Sequence, residues 1–289
     1  MEIVLSLVAA LLFALGTVLQ QRAGARAPSA GAHSGLILRM AQRPVWLAGI
    51  VSDGLGFVAQ AGALAIGRLA VVQPLLVVSV VFALPLGERL SGQRVRRHEV
   101  AASVLVVLAL AGFLILASPS GGREEAPIGE WLIVGAIFAA VCAPIVLLGR
   151  RGPAPRRAAL LGTAAGLLFA LSAALTKAVV DELHTGLVHV ITSWELYALI
   201  GIGYASMTLN QLALNTGALA ATIATSSAAD PIASVVLGLI LFQESLNLSG
   251  ARALGALTAF ALALAGVAVL AQSAEQPTAP IDGDWAGRQ

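Results

Sequence analysis

This chain carries little charge. Only 11% of its 289 residues are Asp, Glu, Lys or Arg, while 58% are apolar and the mean hydropathy is +0.90. A soluble domain carries roughly a quarter charged residues. Surface-to-volume scaling leaves too much of a chain this size wet for a soluble fold to hide so much apolar surface. Lipid is therefore the expected solvent, and the expected class is an all-α integral membrane protein. Cysteine is scarcer still. Cys142 stands alone, which excludes an intrachain disulfide and a zinc cluster. The four histidines, His33, His98, His184 and His189, have no metal-ligand or triad spacing, and no phosphate-binding glycine loop, nucleophile elbow or nucleic-acid motif is present. No enzymatic activity, cofactor or nucleic-acid partner is expected. Aromatic residues are only 5%, which argues against a stacked aromatic cage for quaternary ammonium compounds.

What is present is a series of long apolar runs. A spanning helix needs roughly 20 mainly apolar residues. Nine runs qualify, at about 2–22, 45–66, 69–87, 99–117, 130–149, 158–180, 194–214, 217–242 and 251–271. The first lacks a basic stretch before it and has Arg22 after it, so it reads as a retained span and not as a cleaved signal. The loops fix an orientation. Arg22, Arg26, Arg39 and Arg43 lie between spans one and two. Arg89, Arg94, Arg96 and Arg97 lie between three and four, and Arg150, Arg151, Arg156 and Arg157 between five and six. The opposite face collects Arg68, Arg123, Lys177 and Arg252 with acids such as Glu124, Glu125, Asp181 and Glu182. The positive-inside rule makes the arginine face cytoplasmic, which places a multi-pass protein in the cell membrane with its N-terminus outside and its C-terminus inside. The tail 272–289 reads as a polar, disordered cytoplasmic end.

The runs also repeat. LLFAL occurs at 11–15 and at 167–171; Gln73-Pro74 corresponds to Asp230-Pro231, and Glu88-Arg89-Leu90 to Glu244-Ser245-Leu246. Leu64 and Gly67 match Leu214 and Gly217 at a shorter offset, which calls for a gap within each half. The units are a first four-helix repeat over 1–120, a connector helix and basic loop over 121–155, and a second four-helix repeat over 156–271. An odd connector inverts the second repeat, the arrangement common in secondary transporters.

The segments VVQPLLVVSVVFALPLGERLSG and SSAADPIASVVLGLILFQESLNLSG resemble the proline-to-glutamate signature of the drug/metabolite transporter superfamily, EamA-like, in both halves. The resemblance covers about residues 2–271. Most members have ten helices. Here the arginine-rich segment 23–43 replaces one of them, which resembles the nine-helix NIPA-like branch, whose characterised members are associated with magnesium transport. VWLAGIVSDGLGF matches that branch's short acidic helix, with Asp53 where the family usually has glutamate. Two features depart from it: the stretch from Phe57 to Pro74 is longer, and Gly56 stands in place of an asparagine.

An ionisable group at mid-bilayer costs at least ~2.5–3.5 kcal/mol on insertion scales, so it faces protein and usually has a task. Asp53 and Asp230 fit that description, and they would hold the metal in a cation transporter. Asp230 also suits a plainer role, capping a helical segment that starts at Pro231. Gln73 stands at the position equivalent to Asp230, and Gln60 and Asn210 occupy matched places in spans two and seven. These amides suit a polar pathway or interhelical hydrogen bonds. Thr222, Thr225, Ser226 and Ser227 give span eight a small polar face that favours packing. Pro74, Pro85, Pro144 and Pro231 are expected helix kinks, Trp46, Trp131 and Trp194 interfacial anchors, and Glu88 and Glu244 residues that close turns between adjacent helices. The expected function is a secondary transporter moving a small polar metabolite or amphiphile by alternating access, coupled to a proton or cation. A magnesium or divalent-cation transporter is the alternative, and a non-transporting membrane scaffold a further one. The partners are the bilayer and the solute. Small-residue helices such as GALTAFALALAG can pack within one chain or between two copies in a homodimer.

Overall fold

The computed structural model describes residues 1–25, 43–91, 96–123, 125–247 and 249–273. Arg26, His33, Arg39, Arg94, Glu124 and nearly all of the tail from 272 lie outside the described residues. The described chain is helical almost throughout. In hydrocarbon every backbone amide must be satisfied within its own segment, and long runs of Leu, Ala and Val do this as helices. The helices are α1 (Glu2–Ala25), α2 (Pro44–Ile66), α3 (Leu69–Leu76), α4 (Ser79–Ser91), α5 (Arg97–Ala117), α6 (Ile128–Gly149), α7 (Ala154–Asp181), α8 (Leu187–Thr192), α9 (Trp194–Leu214), α10 (Leu219–Leu241) and α11 (Ala251–Ser273). Two short strands, β1 (Ser120–Gly121) and β2 (Glu244–Ser245), pair antiparallel.

Sequence signals explain several ends. Pro44 and Pro155 open α2 and α7 where a missing N–H costs nothing. Glu99 folds back to accept the Arg96 amide at the head of α5, at 2.6 Å. Ser118 closes α5 in the left-handed region, with φ 38°.

Eight of the described helical spans, with α3 and α4 counted as one, are long and apolar enough to cross a membrane. The expectation from sequence was about nine. The difference is α9, whose Glu195, Tyr197, Tyr204, Asn210 and Gln211 dilute its apolar content. Yet α9 traverses the bundle. Trp194 at its start stacks edge-on against Trp131 at the head of α6, with ring centroids 5.6 Å apart. Gly203 in its middle faces Ser172 of α7. The helix that follows, α10, begins at the opposite end, where Gly162 near the head of α7 presses on Thr222 and Thr225. At 21 residues α9 is about 31 Å long, enough to span. Tyr197, Ile200, Tyr204 and Met207 lie exposed along it.

The central pillar is α7, the most deeply buried span. It packs on α2, α3, α6, α9 and α10. Its interior face is made of small residues, Ala158, Gly162, Ala165, Gly166, Ala170, Ala173 and Ala174, so neighbours approach closely. Gly162 and Gly166 sit against Thr222, Thr225 and Ser226 of α10, so most of that small polar face does pack. By contrast α6 is the least buried span and packs mainly on α7, at the edge of the bundle, with Trp131 at its head against Trp194 of α9. Matched pairs of helices meet in the two halves. The first, α1, packs on α2 and on α3–α4, as α7 packs on α9 and α10; α5 and α11 pack on each other, and so do α3 and α10.

Of the four prolines, Pro74 coincides with a break: α3 ends two residues later and the chain continues through tight i to i−3 bonds from Val77 and Val78 into α4. Pro85, Pro144 and Pro231 lie within continuous helices. Trp131 is not an interfacial anchor. It is 6% exposed, packed between Trp194 and Phe242, because the second half folds over the head of α6.

Candidate functional site

Asp230 lies in the middle of α10, one residue before Pro231. Ser234, one turn on, donates its hydroxyl to Oδ1 at 3.1 Å. Gln73 holds the equivalent place before Pro74 in α3, is 2% exposed, and its Nε2 has no hydrogen-bond partner among the described residues. Because α3 and α10 pack on each other, the polar side chains that precede Pro74 and Pro231 are carried by one pair of contacting helices. An orphaned buried amide costs about 1–3 kcal/mol, so Gln73 holds unspent capacity to bind a polar group.

Asp53 is placed differently. It lies in α2 against α1, where Gln20 donates Nε2 to its Oδ2 at 2.5 Å. Gly16 gives it room: a Cβ there would stand 1.9 Å from Asp53 Oδ1. Gly16 and Gly49 bring the two backbones together at the same crossing. The structure does not unite Asp53 with Asp230, since α2 packs on α1, α3 and α7 while Asp230 belongs to α10. Gln60 and Asn210 are half-buried in α2 and α9. Among the described residues no group of three His, Cys, Asp or Glu stands close enough to hold a metal ion.

A second polar constellation, at the end of the bundle away from the arginine loops, was not assembled from sequence. The turn Gly67-Arg68 joins α2 to α3, and it is held from both sides. Lys177 of α7, 9% exposed, donates Nζ to the carbonyls of Leu64 and Gly67 at 3.1 and 3.2 Å, at the negative end of α2. Glu244, 4% exposed, accepts the amides of Leu69 and Ala70 at 2.7 and 2.9 Å, at the positive end of α3. Lys177 also pairs with Asp181 at 3.4 Å and lies 5.4 Å from the centroid of the Phe242 ring. So Glu244 does not close the turn between its own neighbours. It reaches across the repeat boundary, because α10 ends at Leu241 and Gln243 adopts φ 49°, which swings the chain back. Gly238 makes room, since a Cβ there would meet Glu244 Oε2 at 2.5 Å. Burial pushes the Glu244 carboxyl above its ordinary range, opposed by the amides of Ala70 and Leu69 and by the Lys177 and Arg68 charges.

Further bonds seal the same end. Glu2 accepts the Arg68 amide at 2.9 Å, Arg68 Nε donates to Gly121 O at 3.1 Å, and Arg123 donates Nε to Leu241 O at 2.7 Å and pairs with Glu130. The N-terminus, the α2–α3 turn, the α5–α6 loop, the end of α7 and the α10–α11 loop therefore share one face, as the arginine count implied. Glu88, the repeat partner of Glu244, sits differently. It is exposed within α4, at the rim of a groove of about 440 Å³ between α4 and α5 whose walls include Val81, Phe82, Val104 and Leu108.

No family model matches the chain, and no solved structure matches it. A search of curated proteins finds the uncharacterized protein Cgl0250/cg0304 of Corynebacterium glutamicum, 33% identical over 246 residues that cover 84% of this chain and 85% of the relative. The likeness runs through most of both chains, and on it this multi-pass helical membrane protein belongs to the family of Cgl0250/cg0304.

Proposed function

We propose that the protein is a secondary transporter of the drug/metabolite transporter superfamily that moves a small polar metabolite or amphiphile by alternating access. The observation that carries this reading is the pairing of Gln73 and Asp230. Each precedes a proline in repeat-related helices that pack on each other, and one of the two is an unpartnered buried amide. Such transporters bind their solute near the midplane between inverted repeats, at interrupted helices of the kind that α3–α4 makes. The matched helix contacts of the two halves support the same repeat. So do two matched facing pairs, Gly16 with Asp53 and Ser172 with Gly203, which stand at the two offsets read from the sequence. Under this reading the arginine loops are cytoplasmic and the Glu244 end faces outward, in the cell membrane. Asp230 is the coupling group for a proton or cation. The engagement of Asp53 by Gln20 and its separation from Asp230 favour a metabolite over a magnesium site, which wants several converging oxygens.

The test has two steps. A thermal-shift screen of purified protein against metabolites and divalent cations identifies a ligand by its rise in melting temperature. Flux of that ligand is then measured in proteoliposomes with the wild type, Asp230→Asn and Asp53→Asn. Asp230→Asn is expected to reduce flux at least about tenfold, and Asp53→Asn much less. Full flux in Asp230→Asn would overturn the assignment.

A further inference from the structure

The grip of Glu244 on the α2–α3 turn has a counterpart written into the sequence. The turn it holds reads Gly67-Arg68-Leu69-Ala70, and the α9–α10 turn reads Gly217-Ala218-Leu219-Ala220, the same glycine, leucine and alanine at the same spacing. Glu244 stands in the second half and holds a turn of the first. Its repeat partner Glu88 stands in the first half, and the matching turn lies in the second. A two-fold operation that exchanges the halves carries one arrangement onto the other, at opposite ends of the bundle. In this structure only one of the two is made: Glu244 is buried on the amides of Leu69 and Ala70, whereas Glu88 is exposed beside the α4–α5 groove.

We propose that these are the two gates of the transport pathway: Glu244 on the Gly67-Arg68 turn closes one face, and Glu88 on the Gly217-Ala218 turn closes the other when the first is released. The proposal rests on the transporter reading above. The structure is then the state shut at the Glu244 face, with Glu88 exposed at the arginine face. An acceptor fixed on two helix-terminal amides makes a suitable latch, because each bond is charge-assisted and is replaced by water once the end opens. Both gates must not open together, and the two halves differ in how firmly each gate is held. Aligning LLFAL with LLFAL places Gln21 at the position of Lys177, and aligning the glutamates places Phe82 at that of Gly238. The Glu88 gate therefore lacks the buried cation, and it must displace an aromatic ring to form. It is the weaker of the two, in keeping with the state seen.

The experiment uses full-length protein with Cys142→Ala and Ser234→Cys, reconstituted in vesicles. Ser234 is wholly buried in α10, between Asp230 and Gly238 beneath the Glu244 gate. A membrane-impermeant maleimide applied at the Glu244 face reports opening of that gate. Glu244→Ala is expected to raise the labelling rate about tenfold, and Glu88→Ala to lower it, since removing one latch favours the state closed by the other. Gly238→Ala, which displaces the Glu244 carboxylate without deleting it, is expected to raise labelling too. It serves where Glu244→Ala does not fold. A purely structural Glu244 would leave Glu88→Ala without effect. No change in Glu88→Ala, or a change of the same sign in both variants, overturns the proposal. Labelling needs no solute, so opposite shifts in a protein that carries none of the screened ligands would uphold the two-latch device and count against the transporter reading alone.

Discussion

The two glycine turns of this protein, Gly67-Arg68 and Gly217-Ala218, have nearly the same sequence and opposite circumstances. The first is clamped by a buried cation at the end of one helix and a buried anion at the start of the next. At the second, Gly217 has φ 88° and a Cβ there would meet nothing within 4 Å among the described residues. The turn motif alone therefore does not make a closed end. Closure depends on Lys177 and Glu244, which come from residues 110 and 175 positions away. A helix end is a partial charge that any suitably placed ion can complete, and here one half of the molecule supplies both ions to the other.

This contrast can be broken at the cation first. Lys177→Ala removes the donor to Leu64 and Gly67 and the ion pair with Asp181. A loss of roughly 2–4 kcal/mol is expected, read as a fall in melting temperature in detergent, while Gln21→Ala at the matching position should stay within about 0.5 kcal/mol. Equal losses would mean the two ends are held alike. Next, Gly238→Ala drives a methyl into Glu244 and should cost about 1–3 kcal/mol through the two orphaned amides. Unchanged stability would show that the carboxylate is not held there. Gly67→Ala and Gly217→Ala should each cost about 1 kcal/mol for different reasons: the first meets Glu2, the second is strained by its positive φ. Only the first should be eased in part by Glu2→Gly, which removes the Cβ that would stand 2.6 Å from the added methyl as well as the carboxylate. The smallest effect concerns pH. Burial raises the Glu244 carboxyl, so the closed clasp binds a proton more tightly than the solvated group does. The stability contributed by this group is then full below the ordinary value of 4.5 and is lost as pH rises through the raised one. The margin of the wild type over Glu244→Ala should grow as pH falls from neutral toward 4.5; a margin that shrinks would contradict the sign.

Much of the architecture was legible in the chain. Hydropathy placed the spans within a few residues, and the alternation of arginines gave the face on which each loop lies. The run at 194–214 was among those spans, although its polar residues leave it less apolar than the rest. The recurrence of LLFAL and of the glutamates pointed to matched halves. Asp230 stood out through the cost of an ionisable group in lipid, and Gln73 through its matching place before Pro74. Side-chain partners were not legible. Whether Asp53 faces a pathway or a neighbouring helix turns on Gly16 and Gln20 of α1, and nothing local to Asp53 announces them. Lys177 and Glu244 looked like ordinary residues at span ends because their partners are backbone groups, which carry no signature in sequence. Trp131 was misjudged for a related reason: position at the head of a span suggests an anchor, but packing by Trp194 and Phe242 takes it out of the interface.

The central claim is that the Glu244 end must open for the protein to work. The strand pair offers the most direct test. Ser120 and Ser245 are direct partners across β1 and β2, with their hydroxyl oxygens 2.9 Å apart. Ser120→Cys and Ser245→Cys, introduced together with Cys142→Ala, would staple that end shut on oxidation. The account predicts that flux of the screened ligand in proteoliposomes falls to background in the cross-linked protein and returns when the bond is reduced. Undiminished flux through fully cross-linked protein would contradict it.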